Sequence, residues 1–295
     1  MSTVAPSTFP APSYTMPSTH SASSTSLTTP GLTTSTRPTG SRPPAGARRR
    51  PSVRTAWYWE NRKAPNWWYW AAVTVLCTLS SLSGYLQYRT YQADLPAQGI
   101  TWDVLWPHST LLLSMWLLPL ALGGFAAQIA AGERRGRSWQ QMRANRLEAT
   151  VIAGKLLHGL QVAVATTTIL VLTTAITGLV AGFGPMGLAA YLPRFAAVAL
   201  GMWVILAFVT WLGLIMRSYA ATMTAVLLGA VAGTAMLLAA RPLSALNPMT
   251  ALTRATASLT PGAMTSPGAA ATDGLISLVW VVILALALLL TVRRR

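Results

Sequence analysis

Six stretches without one charged residue govern what this chain can fold into: 64–88, 104–132, 156–193, 195–216, 218–240 and 274–292. A helix rises about 1.5 Å per residue, so roughly 20 apolar residues cross about 30 Å of hydrocarbon. Each stretch is long enough or nearly so. Membrane β-strands are excluded, because they take only about 9–11 residues and alternate in polarity. Composition agrees: 53% of residues are hydrophobic and 9% charged, where a soluble domain carries roughly 25% charged residues. The expected fold is an all-α polytopic membrane protein with six transmembrane helices, at about 67–88, 110–131, 157–181, 195–216, 219–240 and 274–292.

The formal charge of +16 would suggest a nucleic-acid binder in a soluble chain. Here the positive residues fall in short clusters between the apolar stretches, so no nucleic-acid partner is expected. With the N-terminus inside, 18 Lys and Arg lie on the cytoplasmic side, and only Arg89, Arg194, Arg241 and Arg254 on the other. The positive-inside bias therefore predicts a multi-pass protein of the cell membrane with both termini cytoplasmic. Residues 1–56 are rich in Ser, Thr and Pro, hold no long apolar run and read as a disordered cytoplasmic tail, with 57–295 forming the transmembrane domain. Trp57, Tyr58, Trp59, Trp67, Trp68, Tyr69 and Trp70 at the start of span one, and Trp102 and Trp106 before span two, read as aromatic belts. Pro119, followed by Gly123 and Gly124, marks a candidate hinge in span two. Spacings such as Gly178 to Gly182 and Gly229 to Gly233 suit close helix packing or ordinary small-residue usage.

One segment is not membrane solvation. Between spans two and three runs GERRGRSWQQMRANRLEATVIAGKLL, residues 132–157. Trp139, Met142, Leu147 and Val151 recur at intervals of three to five, which fits an amphipathic surface helix, or two helices broken near Asn145. Arg134, Arg135, Arg137, Arg143 and Arg146 suit contact with anionic lipid headgroups, or topology alone.

On these residues the chain resembles the membrane subunits of the ABC-2 type, type V exporter-like, permease family. Members carry a cytoplasmic segment after span two that opens with a pattern such as E-x-x-x-G-T and closes near G-K-L-L. This chain has Glu133, Gly136, Ser138 and Trp139 at one end, and Gly154, Lys155, Leu156 and Leu157 at the other. It departs at Arg137, where threonine is common, and at Asn145, Arg146 and Leu147, which replace a Pro and Ser region. The resemblance implies a dimeric permease, as homodimer or with a paired subunit, coupled to separate ATP-binding subunits that hold ATP and Mg. The segment 132–155 would supply the coupling element, carried by Glu133, Gly136, Arg137, Trp139, Met142, Arg143, Arg146 and Glu148. Substrates of comparable members include peptides, drugs and lipid-like molecules. A non-transporting assembly or regulatory subunit is the alternative.

The chain has no G-x-x-x-x-G-K-[ST] loop for ATP and no H-E-x-x-H metal motif. His20, His108 and His158 fall at different depths, which excludes a bis-imidazole haem, and no cofactor is expected on this chain. The single cysteine, Cys77, excludes an internal disulfide. The six acidic residues lie at or beyond span ends, so no buried carboxylate is expected. Gln161, Thr166 and Thr173 in span three read as candidate linings of a polar route, or as hydroxyls packed and bonded back to their own helix.

Overall fold

The structure, a computed structural model, describes residues 52–63, 67–91, 102–135 and 146–294. Helix α1, Val53–Arg62, starts from Ser52, whose Oγ accepts the Thr55 N–H at 3.2 Å and so satisfies one of the free first-turn donors. Its first turn therefore occupies 53–56, at the end of the stretch read as tail.

Then come α2 (Trp67–Thr90), α3 (Trp102–Leu112), a π-helical turn (Leu113–Leu117) and α4 (Leu118–Arg135). They are followed by α5 (Glu148–Val180), α6 (Pro185–Ala189), α7 (Leu192–Ile215) and α8 (Tyr219–Ala239). Short 3-10 turns at Arg241–Leu246, Pro248–Thr250 and Pro261–Ala263 flank α9 (Ala251–Thr256), and α10 (Pro267–Arg294) ends the chain. Among the described residues six helices are long and apolar enough to span a membrane: α2, the continuous α3–π–α4 helix, α5, α7, α8 and α10. The fold is thus all-α with six spanning helices. Spans two, three and six are longer than the sequence suggests, because helical hydrogen bonding continues past the apolar stretch into Trp102, Glu148 and Pro267.

α7 is the central helix: 61% of its apolar window is buried, against 28% in α8 and in α10. Span two runs as one helix through two prolines. Pro119 has no N–H for the i→i−4 ladder, and its ring needs room beside the preceding turn. The turn just before it is wide, with the Leu118 N–H reaching Leu113 O, so the irregularity sits at Leu113–Leu117, and Gly123 and Gly124 lie in regular helix beyond it. A Cβ on Gly123 would stand 2.9 Å from Val226 Cγ1, so this glycine lets α4 and α8 approach closely.

Trp102 and Trp106 are not a belt. They are 5% and 1% exposed, and the Trp106 indole N–H donates to Thr256 O at 2.9 Å. Trp106 is covered because the segment after α8 folds back into the bundle, and Trp102 because it packs on Gly178, Phe183 and Gly187, with its indole N–H donating to Gly184 O at 3.0 Å. α9 lies so close to α7 that a Cβ on Gly201 would be 2.9 Å from Ala251 O. Gly229 and Gly233 likewise seat Met249 and Thr250. Polar atoms carried inward by this loop find internal partners, as an apolar surround demands: Thr110 Oγ1 meets Ser258 Oγ at 2.7 Å, and Ser258 donates to Thr256 Oγ1 at 2.9 Å. At the same end Tyr191 donates to Asp103 Oδ1 at 2.5 Å; burial first, and then this bond, push its phenol above the ordinary range.

Candidate functional site

The opposite end of the bundle carries α1 and the starts and ends of the helices that flank residues 136–145. Along α1, Ala56, Glu60 and Lys63 recur at four- and three-residue intervals and share one side. That side lies on α5. A Cβ on Gly154 would be 2.8 Å from Ala56 Cβ and 3.0 Å from the Ala56 carbonyl carbon and the Trp57 nitrogen. Only glycine leaves room for the α1 backbone here. Two turns further along α5, the Trp57 indole N–H donates to Gln161 Oε1 at 2.8 Å.

This docking closes a ring of four charges. Lys63 Nζ lies 2.5 Å from Glu60 Oε1 and 2.9 Å from Glu133 Oε1. Lys155 Nζ lies 3.2 Å from Glu60 Oε2 and pairs with Glu133 Oε1. Each carboxylate thus touches both ammonium groups and the cluster is electrically neutral. Three of the four are buried: side-chain exposure is 4% for Glu60, 6% for Glu133 and 7% for Lys155, against 35% for Lys63. Charges so buried persist only when paired. Burial alone would lower the Lys63 pKa, but the Glu133 and Glu60 carboxylates outweigh it and hold it above its ordinary 10.5.

The expectation that no carboxylate is buried is therefore corrected. Glu60 and Glu133 sit in a low-dielectric site because lysines from other helices neutralise them. Glu133 lies in the last turn of α4 and Lys155 two turns into α5, so these two helices, which flank residues 136–145, are clamped to each other and to α1. The sequence singled out Glu133 and Lys155 as motif ends; it gave no sign that they meet, nor that Glu60 and Lys63 join them. The available signal was the acid–base pair three residues apart on a short amphipathic stretch.

Beside the ring lies a cavity of 40 Å³, lined by Glu60, Glu133, Lys155 and His158 among apolar side chains. Among the described residues neither ring nitrogen of His158 has a hydrogen-bond partner. A cavity of this size has room for water, whose smallest site needs about 10–15 Å³.

Of the other coupling candidates, Gly136, Arg137, Trp139, Met142 and Arg143 lie outside the described residues. Arg146 is exposed and takes a left-handed conformation, φ 52°, which turns the chain sharply into α5 beside the break expected at Asn145. Leu147 caps α5, and Glu148 opens its first turn, where a negative charge suits the helix dipole. Gln161 is exposed and held by Trp57. Thr166 is fully buried and shares a 2.8 Å hydrogen bond with Tyr69. Thr173 donates to Ile169 O and Leu170 O at 3.0 Å each. No group of three or more His, Cys, Asp and Glu side chains suited to a metal occurs among the described residues.

Six spanning helices, with α4 and α5 tied to α1 through the ring, define a multi-pass membrane protein. The family model described as ABC-2 family transporter protein matches residues 60–233, from the first ring residue to the middle of α8 and so through all four ring charges. The chain belongs to that family, whose permeases are transport subunits that pair with ATP-binding cassette subunits. A search of curated proteins found no match.

Proposed function

We propose that the chain is the permease of a type V-like exporter, with both termini cytoplasmic, which moves a peptide, drug or lipid-like substrate across the cytoplasmic membrane. ATP and Mg are held by a separate subunit, and the permease works as a dimer with a second copy or a paired subunit. The observation that carries this reading is the neutral ring of Glu60, Lys63, Glu133 and Lys155. A push on residues 136–145 from a closing ATPase reaches both α4 and α5 at once, since the two helices are tied through Glu133 and Lys155. α1 follows because Glu60 and Lys63 complete the ring. The three helices then tilt together against α7 and α10, and access to a route at the dimer interface changes. The breadth of the motion comes from the clamp, which joins α1, α4 and α5. Pro119, with the wide turn before it, marks where span two would bend during that tilt.

The test is purification of the chain from its native membrane in gentle detergent, with identification of copurifying proteins and an ATPase assay. A stoichiometric ATP-binding subunit is expected, and its substrate-stimulated ATPase should be lost or uncoupled in Arg143→Glu/Arg146→Glu. Repeated isolation without such a subunit, under conditions that preserve other membrane complexes, would overturn the reading.

A further inference from the structure

At the end of the bundle opposite the ring lies a second, unbalanced group of charges. Arg194, in the first turn of α7, is fully buried. Its guanidinium donates to Asp273 Oδ2 at 2.8 Å and to the carbonyls of Ala255, Ala263 and Met264. Its planar fork of five donors can serve all of these at once, which a lysine could not. The remaining Asp273 oxygen, Oδ1, accepts from Arg254 at 3.2 Å. One carboxylate thus serves two guanidinium groups, and a third guanidinium nearby is not among its partners. That third is Arg241, whose hydrogen bond among the described residues goes to the Thr260 hydroxyl.

Arg241 and Arg254 both line a cavity of about 390 Å³, together with Asp273 and the side chains of Thr253, Thr260 and Thr272. Among the described residues two guanidinium groups and one carboxylate line the cavity, and that carboxylate is shared with the buried Arg194 behind it, so positive charge is in excess at this site. Two guanidinium forks and the Thr260 hydroxyl at one cavity are donors of the kind that bind a tetrahedral oxyanion, which would also offset the charge excess.

We propose that this cavity binds a phosphate-class anion, supplied by the headgroup of an anionic phospholipid or by a free phosphorylated solute. Arg241 and Arg254 grip the anion, and Arg194 acts indirectly, by occupying Asp273 so that it cannot neutralise Arg241. The site stands apart from the ring and from ATP coupling, so its test is independent of the transport reading.

The full-length protein is placed in nanodiscs of phosphatidylcholine, and its thermal midpoint is followed as inorganic phosphate is titrated in or phosphatidylglycerol replaces part of the lipid. At least one of the two additions is expected to raise the midpoint. Arg241→Gln, which leaves the Arg194–Asp273–Arg254 contacts in place, should weaken that response about tenfold or more in concentration. Arg217→Gln, at an exposed site outside the cavity, should respond as the wild type does. A response to inorganic phosphate assigns the site to a free phosphorylated group, and a response to phosphatidylglycerol alone assigns it to a lipid headgroup. No response to either, or an equal response from wild type and Arg241→Gln, would overturn the proposal.

Discussion

Replacing Lys155 with methionine tests whether the ring is a closed electrostatic unit. The change keeps the apolar stem and deletes one ammonium, which leaves Glu60 and Glu133 sharing Lys63 and gives the buried cluster a net charge of −1. Removing one partner of a buried pair costs about 3–5 kcal/mol. The low end applies, because each carboxylate retains Lys63, at 2.5 and 2.9 Å. About 3 kcal/mol corresponds to a fall of roughly 6–12 °C in the unfolding midpoint for a chain of this size. Lys63→Met deletes the same formal charge from a side chain 35% exposed, where solvent screens the loss, so about 1 kcal/mol is expected. The decisive variant is Lys155→Met/Glu133→Gln, which restores neutrality. It should recover part of the loss, with a coupling energy of at least about 1.5 kcal/mol in a double-mutant cycle. The assay is thermal unfolding in nanodiscs of fixed lipid composition. Equal costs for the two lysines, or a double variant whose cost is the sum of its parts, would refute the ring as a unit.

Gly154→Ala should destabilise by about 1–3 kcal/mol, because its Cβ would stand 2.8 Å from Ala56 Cβ. Adding Ala56→Gly should return part of that, while Gly132→Ala, with nothing within 4 Å, should be neutral or slightly stabilising in the same unfolding assay. Lys63 and Tyr191 both have raised folded-state pKa values, so each contributes stability that is complete below its unfolded pKa and lost as pH rises through the folded one. The unfolding midpoint should therefore fall above about pH 10, and Tyr191→Phe should make that alkaline fall shallower; a flat profile would contradict the assignment. Arg146→Gly relieves a left-handed backbone at φ 52° and should raise stability by up to about 1 kcal/mol, measured by the same unfolding.

The six spans were legible because hydropathy along the chain reports directly on what a bilayer accepts. Their ends were less so. Asp103, His108 and Pro107 hid the first turns of span two, and the reason is tertiary: Tyr191 satisfies Asp103, the connection from α5 to α7 covers Trp102, and the segment after α8 covers Trp106. Within the ring, Glu133 and Lys155 stood out as the two ends of a motif. Glu60 and Lys63 did not, since their partners lie 70 to 95 residues away and no local pattern records that distance. The buried Arg194 was read as an outer loop charge for the same reason: Asp273, 79 residues later, is what makes its burial tolerable. Glycine spacings suggested helix against helix, whereas Gly229 and Gly233 accommodate the segment after α8.

The ring also dictates an order of assembly. Glu60 and Lys63 leave the ribosome long before Glu133, and Lys155 comes last. Until span three has begun to enter the bilayer, three of the four charges are present with a surplus negative charge, and the seat at Gly154 that receives α1 does not exist. α1 must therefore wait at the membrane surface while two spans are laid down, and it docks only when the third delivers both its seat and the closing charge. A chain stopped before Lys155 cannot bury Glu60 and Glu133 together as a neutral unit. Completion of the N-terminal half is thereby marked by a single electrostatic event.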